Sequence, residues 1–292
     1  MSGFWIIVTG ALVASCCGIL GVFLVLRKMT LIGDAISHSV MPGIVIAILL
    51  SGSRDSMLVF AAALACGLLA AFLIQRLQQG GVQPDASIGV VFTVMFAIGV
   101  VLVSLFARQT HLDQDAILYG EIAYVHWNIW EPGGVDMGPK AVWQLGATLL
   151  VIVAVIGLFY KQFKLCAFDP AMAAACGIPV ALFHYLLMGL VSMATVSSFE
   201  SVGAILVVGL LIIPASTAYL LTNRLSVMIA LSAAVGIAST VLGYGAAVAL
   251  DASVAGCMVC AAALCFVMAL LFSPLQGLVT SAVRRRRAAG LQ

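Results

Sequence analysis

The chain has 292 residues, of which 64% are hydrophobic and only 8% are charged, and its formal net charge is +2. Because about a quarter of the residues in an ordinary soluble domain are charged, this composition excludes a soluble globular protein. The basic residues are dispersed between apolar runs, apart from residues 284–287 at the C-terminus, so the charge pattern does not indicate nucleic-acid binding.

Nine apolar segments of about 20 residues predict membrane-spanning helices. The first lacks the basic leader of a signal peptide, so we interpret it as a spanning helix. Only the polar run 197–201 separates the sixth segment from the seventh, so eight spans are the alternative. We therefore predict an all-α, polytopic membrane helical bundle, with one transmembrane domain over residues 1–292. The predicted spans are 4–26, 30–50, 57–77, 88–107, 142–160, 180–199, 202–222, 225–250 and 253–272.

The distribution of basic residues predicts the orientation of the chain. With the N-terminus outside, ten of the thirteen Lys and Arg residues fall on the inner side, and only Arg54, Arg108 and Lys140 fall outside. Cytoplasmic loops carry the excess of basic residues in membrane proteins. The prediction is a multi-pass protein with its N-terminus outside and its C-terminus in the cytoplasm.

The second span contains two ionisable side chains in an otherwise apolar sequence. Asp34 and His38 are four residues apart, so on a helix they lie on one face. Pro42 has no N–H, so we expect the carbonyl of His38 to lose its helical partner, and we expect Gly33 and Gly43 to let the backbone bend. A carboxylate, an imidazole and a freed carbonyl are suitable ligands for a divalent transition metal.

A structural alternative exists for the same residues. Asp34 could pair with Arg27 or Lys28 at the membrane surface, and His38 could bond a neighbouring helix. An ionisable pair within a membrane is nevertheless a functional hypothesis by default.

A second informative stretch follows the fifth span. Asp169 before Pro170 predicts an N-cap with proline at the first helical position, and Gly177 ends the helix. The prediction is a short cytoplasmic helix that could dock into a groove on a partner. The chain contains no GxxxxGK[ST] pattern, so an ATPase that drives it would be a separate subunit.

A group of polar residues and one separate glutamate lie at the predicted outer side. His111, Asp113 and Asp115 could form an outer metal funnel, although a solvated loop is the favoured interpretation of their spacing. Glu200 is either an interfacial anchor or part of an outer gate.

Four motifs resemble those of a known family, the ABC-3 permeases of manganese, zinc and iron importers. They are GDAISHSVMPG (33–43), LDQDAILYGEI (112–122), AFDPAMAAACGIP (167–179) and ESVGAILVVGLLIIPASTAYLL (200–221). The motifs occur in family order, and the resemblance extends over nearly the whole chain.

The resemblance implies a type II-like ABC importer permease in a bacterial cell (inner) membrane. It implies a dimer with a second permease copy or paralogue, an ABC ATPase, and a metal-binding lipoprotein or periplasmic solute-binding protein. Asp34 and His38 would form the metal site of the transport pathway. The segment with Phe168, Asp169, Pro170, Met172, Ala175 and Gly177 would couple the permease to the ATPase.

The expected function is ATP-driven import of Mn²⁺, with Zn²⁺ or Fe²⁺ as alternatives, by a subunit that is not itself an enzyme. No permanently bound cofactor is expected. Two alternatives remain: a secondary metal transporter driven by an ion gradient, and an ABC permease for metal chelates such as siderophores. The first would more often show inverted repeats and several intramembrane carboxylates.

Overall fold

The computed structural model describes residues 2–51, 57–106, 122, 125 and 138–273. Within these ranges the regular structure is helical. The helices are α1 (Ser2–Leu26), α2 (Thr30–Ser39), α3 (Met41–Ser51), α4 (Met57–Gln79), α5 (Pro84–Phe106), α6 (Lys140–Leu158), α7 (Tyr160–Phe168), α8 (Pro170–Ala175), α9 (Val180–Val202), α10 (Ala204–Leu221), α11 (Leu225–Leu250) and α12 (Val254–Phe272).

The nine predicted spans are confirmed in the described part of the chain, which contains nine segments long and apolar enough to cross a membrane. The second of these segments, Thr30–Ser51, consists of two helices, α2 and α3, separated by a turn at Val40. Pro42 explains this break, because its ring and missing N–H disrupt the helical hydrogen bond to the carbonyl four residues earlier.

The boundary between the sixth and seventh spans differs from the prediction. Residues 197–201 do not break the helix, because α9 continues through them to Val202. The chain turns at Gly203, whose φ of +80° lies in the region that glycine adopts without steric cost. Two separate helices result, so the nine-span prediction holds and the eight-span alternative is wrong.

Helix α1 lies at the centre of the bundle, against α10 and α11. A Cβ atom on Gly21 would collide with the carbonyl oxygen of Leu211, so only glycine permits this approach of α1 to α10. On the other face the Ser232 hydroxyl donates to the Gly18 carbonyl at 2.9 Å. In a membrane such small residues and interhelical hydrogen bonds replace the hydrophobic effect as the source of helix association.

Close packing also positions the helix pair α2–α3. A Cβ on Gly33 would collide with the Leu211 side chain, and a Cβ on Gly43 would lie 2.5 Å from the Ala62 carbonyl oxygen. Both glycines lie within helices, where they let neighbouring helices approach. This packing fixes the helix face that carries Asp34 and His38.

The chain beyond α6 forms a further short helix, α7, in a region where the sequence pattern predicts only the end of the fifth span. Helix α6 ends at Leu158, and α7 begins after the non-helical Phe159. Phe163 of α7 is buried and contacts the rings of Phe23 and Phe183, with centroids 5.7 Å and 5.3 Å apart. These contacts hold α7 against the ends of α1 and α9 and thereby position α8.

Candidate functional site

Asp34 and His38 meet on one face of α2, as predicted. The Asp34 Oδ1 atom lies 3.6 Å from the His38 Nε2 atom. Two ligands bound 2.1 Å from one ion at a tetrahedral angle are about 3.4 Å apart, so the pair needs little movement to bind the same ion. The helical spacing of four residues produces this geometry directly.

The surroundings of the pair are apolar on one side and open on the other. The His38 ring contacts Phe92 and Phe96 of α5, with centroids 5.4 Å and 5.9 Å away. The exposed fraction of the side chain is 22% for His38 and 43% for Asp34. The imidazole is therefore held by aromatic packing, whereas the carboxylate faces outward from this chain.

A narrow pocket adjoins His38. Its lining includes Ser37, Met41, Phe96 and Phe199, and it has room for about one water molecule. Phe199 belongs to α9, so the last turns of that helix reach the pocket. Glu200 follows Phe199 in the chain and occupies a helical position in α9.

The structure tests the alternative interpretation of Asp34. Within the described residues, the ion pair found is the one between Asp34 and His38, and neither Arg27 nor Lys28 forms an ion pair with Asp34. The carboxylate is thus not neutralised by the basic residues that precede α2.

The expected free carbonyl of His38 is not observed. The N–H of Val40 donates to the His38 oxygen, which replaces the bond that Pro42 cannot make. The helix resumes at once, since the Ile44 N–H donates to the Val40 carbonyl at 3.1 Å. The prediction of a break was correct, but the prediction of an unpartnered carbonyl was wrong, because the local turn supplies a hydrogen-bond donor to that oxygen.

The described residues supply two metal-binding side chains at this site. No group of three or more His, Cys, Asp or Glu side chains that could hold a metal occurs in the described part of the chain. His111, Asp113 and Asp115 lie outside the described residues. Sequence reasoning missed Phe92 and Phe96, although their spacing of four residues in span four indicates one helix face.

The predicted short helix is present as α8. The Asp169 side chain accepts a hydrogen bond from the Met172 N–H at 2.9 Å, and Pro170 is the first helical residue. Gly177 has a φ of +76° and ends the segment. The N-cap, the proline and the terminating glycine are confirmed.

Helix α8 presents most of its surface to the exterior of this chain. Phe168 and Met172 are each 55% exposed, and Ala175 is also exposed, whereas Ala173 is buried. Two large apolar side chains are thus exposed here, that of Phe168 at the end of α7 and that of Met172 on α8.

Comparison with known proteins places the chain in a family. A family model described as "ABC 3 transport family" matches residues 3–273. The chain is 52% identical over 280 residues to the manganese transport system membrane protein MntD of Bacillus subtilis, covering 96% of this chain and 95% of that protein. It is 38% identical over 283 residues to the zinc transport system membrane protein TroD of Treponema pallidum, covering 94% and 75% respectively.

A solved structure gives the same result for the fold. PsaBC from Streptococcus pneumoniae, in complex with Fab, matches with a TM-score of 0.78 and 33% identity over 93% of this chain and 92% of that chain. The predicted fold class, a helical membrane permease of the type II-like ABC importer kind, is confirmed. On the family match across its length and on these relatives, the chain belongs to the ABC 3 transport family, as a multi-pass membrane protein.

Proposed function

We propose that the chain is the permease subunit of an ATP-driven importer of divalent transition metal ions, with Mn²⁺ favoured and Zn²⁺ or Fe²⁺ as alternatives. The observation that carries this proposal is the Asp34–His38 pair, 3.6 Å apart within a membrane span. The carboxylate supplies charge to a dication that has left water, and the neutral imidazole supplies a nitrogen ligand.

The small number of ligands suits transport better than storage. Structural metal sites are closed by four protein ligands, whereas a site with fewer protein ligands keeps positions open for water or exchange. Asp34 and His38 would hold the ion briefly and release it. The ion is cargo, and we expect no permanently bound cofactor.

The exposure of Asp34 supports a second permease subunit. A charged side chain that is 43% exposed in a membrane span would be costly if it faced lipid. A second copy of this chain, or a paralogue, would cover this face and enclose the ion between two subunits. Homodimer and heterodimer are both compatible with this geometry.

The exposed helix α8 supports an external energy source. The sequence has no phosphate-binding loop, so ATP hydrolysis belongs to a separate ABC ATPase, and this subunit is not an enzyme. The ATPase would bind the exposed surface formed by Phe168, Met172 and Ala175. Because α7 links α8 to α1 and α9, a displacement of α8 would also displace these helices and thereby the Asp34–His38 site.

The remaining parts of the proposal concern the two membrane surfaces. The basic residues favour an N-terminus outside and a C-terminus in the cytoplasm of a bacterial cell (inner) membrane. A metal-binding lipoprotein or periplasmic binding protein would deliver the ion outside. The entrance below this binding protein would be a metal funnel formed by His111, Asp113 and Asp115. Glu200 would contribute to the outer gate.

Reconstitution tests the proposed function. The purified chain, its ATPase and its binding protein are placed in vesicles, and radioactive Mn²⁺ uptake is measured with ATP, without ATP, and with an ionophore that collapses ion gradients. We expect uptake that needs ATP and survives the ionophore. Uptake that does not require ATP and is abolished by the ionophore would instead identify a secondary transporter. The transported ion is identified by testing whether Zn²⁺, Fe²⁺ or a ferric siderophore competes with Mn²⁺ for uptake.

A further inference from the structure

The His38 ring lies against two aromatic side chains of α5 that also contact each other. The plane of the imidazole is inclined by 60° to the ring of Phe92 and by 87° to the ring of Phe96. The centroids of the two phenylalanine rings are 6.1 Å apart. Tilted and edge-to-face arrangements of this kind are those that aromatic pairs favour. The imidazole is therefore confined by two rings that support each other.

Helix α5 is itself held close to the helix that follows His38. A Cβ atom on Gly99 would lie 3.1 Å from the Met41 Cβ atom and 3.3 Å from the Pro42 Cδ atom, so α5 approaches the start of α3 closely. Phe92, Phe96 and Gly99 are spaced by four and three residues and share one face of α5. Phe96 also packs against the small buried cluster that includes Met41. The two rings thus stand on a helix whose position relative to the site is fixed.

Hydrogen bonds do not set the orientation of the His38 ring. Within the described ranges, its interactions are the two aromatic contacts and the approach to the Asp34 Oδ1 atom. At 3.6 Å, this approach is too long for a hydrogen bond. A histidine that binds a metal usually donates its other ring N–H to a carboxylate, a carbonyl or water, and this bond fixes the ring. Here the aromatic contacts are placed to do so instead.

We propose that Phe92 and Phe96 are positioning residues, which hold the His38 imidazole in its metal-binding orientation and thereby set the preference of the site for Zn²⁺ relative to Mn²⁺. This inference rests on the proposed function of the Asp34–His38 pair. The terminal torsion of a histidine has broad energy wells, so an unsupported ring rotates readily. The two phenylalanine rings restrict this rotation and keep the Nε2 atom on the side of Asp34.

The two ions depend on the imidazole to different extents. An imidazole nitrogen is a favourable ligand for Zn²⁺, whereas Mn²⁺ is well served by carboxylate and water oxygens. Loss of the ring orientation should therefore weaken the binding of Zn²⁺ more than that of Mn²⁺. A contribution of the phenylalanines to packing alone would weaken the binding of both ions equally. The ratio of the two dissociation constants consequently separates positioning from structural support.

Equilibrium dialysis of the chain in complex with its ATPase, in detergent, tests this proposal with radioactive Zn²⁺ and Mn²⁺. Binding that persists in an Asp34→Ala/His38→Ala double variant is subtracted, because the eight cysteines of the chain can also bind Zn²⁺. Phe92→Ala and Phe96→Ala should each raise the dissociation constant of Zn²⁺ roughly tenfold, the usual effect of removing the support of a metal-binding histidine. The dissociation constant of Mn²⁺ should rise by a smaller factor.

Three further variants complete the experiment. His38→Ala should change the ratio of the two dissociation constants in the same direction as the phenylalanine variants, and by more. Phe272→Ala is the control, because Phe272 is an exposed phenylalanine at the end of α12, and it should leave both constants unchanged. Thermal unfolding midpoints verify that each variant is folded. If Phe96→Ala does not fold, Phe92→Leu takes its place beside Phe92→Ala, because it removes the ring and keeps an apolar side chain.

Two results would overturn the positioning role and leave the proposed function intact. The first is an unchanged dissociation constant of Zn²⁺ in the folded phenylalanine variants while His38→Ala weakens binding. The second is an equal weakening of Zn²⁺ and Mn²⁺ binding by the phenylalanine variants, which would show that the rings support only the packing. Unchanged binding of both ions by His38→Ala would instead contradict the metal site itself, and with it this proposal.

Discussion

Asp34 and His38 form an ionisable pair within a largely apolar chain. Their spacing of four residues brings the Oδ1 and Nε2 atoms within 3.6 Å, and the two phenylalanines of α5 hold the imidazole ring. The spacing could be predicted from the sequence alone. The aromatic contacts could not, because they depend on how α5 packs against α2.

Removing only the charge of Asp34 tests its role. Asp34→Asn keeps the size of the side chain but loses the anion that a dication needs, so Mn²⁺ uptake should fall roughly tenfold or more, close to the effect of Asp34→Ala. Uptake is measured in cells at matched membrane levels. Asp85→Asn, a change at an exposed acidic residue at the start of α5, is the control and should behave like the parent. Half of parental uptake in Asp34→Asn would contradict a role for the charge.

Gly43 tests the packing that supports the site. Gly43→Ala would place a Cβ atom 2.5 Å from the Ala62 carbonyl oxygen, and such overpacking costs about 1–3 kcal/mol. The thermal unfolding midpoint in detergent should therefore fall. Gly89→Ala is the control, because a Cβ there meets no atom within 4 Å and should leave the midpoint equal or higher. Equal midpoints for the two variants would show that the α3–α4 contact adapts at no cost.

The positions of the helices could be predicted from the sequence better than the connections between them. Charge-free length predicts a span, and Asp169 with Pro170 predicts the start of α8, because both signals are local. The turn at Gly203 and the separate helix α7 depend on tertiary packing. The polar run 197–201 was misleading, because hydroxyl side chains can be buried inside a bundle; the Ser197 hydroxyl, for example, lies 3.0 Å from that of Thr148 on α6.

Helix α8 provides a prediction about energy coupling. A variant with both Met172→Asp and Ala175→Arg places charges on the exposed face, which should block docking of the ATPase without disturbing the buried Ala173. ATP hydrolysis and metal uptake should become uncoupled in the reconstituted complex, while membrane insertion stays normal. Met172→Leu keeps the apolar surface and should retain coupling. Normal uptake by the double variant would exclude α8 as the coupling element.

For the whole molecule, burial decreases from the centre of the bundle outward. Within the most apolar 18-residue stretch of each span, 67% of the residues are buried in the first span but only 17% in the last. The large apolar side chains exposed on peripheral helices, such as Leu264 on α12, suit contact with lipid. The sequence predicts that every span is apolar, but it cannot tell a central helix from a peripheral one when both are almost uniformly hydrophobic.

The proposed orientation of the molecule can be tested with added cysteines. A cysteine in place of Lys140 should react with a membrane-impermeant thiol reagent added outside intact cells, and a cysteine in place of Arg224 should not. The parent chain, which has eight cysteines of its own, gives the background for both. Labelling at position 224 but not at position 140 would reverse the proposed topology.

We propose that Asp34 and His38 bind the transported ion. The most direct measurement is radioactive Mn²⁺ uptake by cells that carry Asp34→Ala, His38→Ala or the control Asp85→Ala, at matched membrane levels and with ATPase binding verified. We expect each of the first two changes to reduce uptake to background, because a dication leaving water would lose one of the two ligands that the described residues provide. The control should transport normally. Near-normal uptake by both alanine variants would show that Asp34 and His38 have a structural role and do not bind the transported ion.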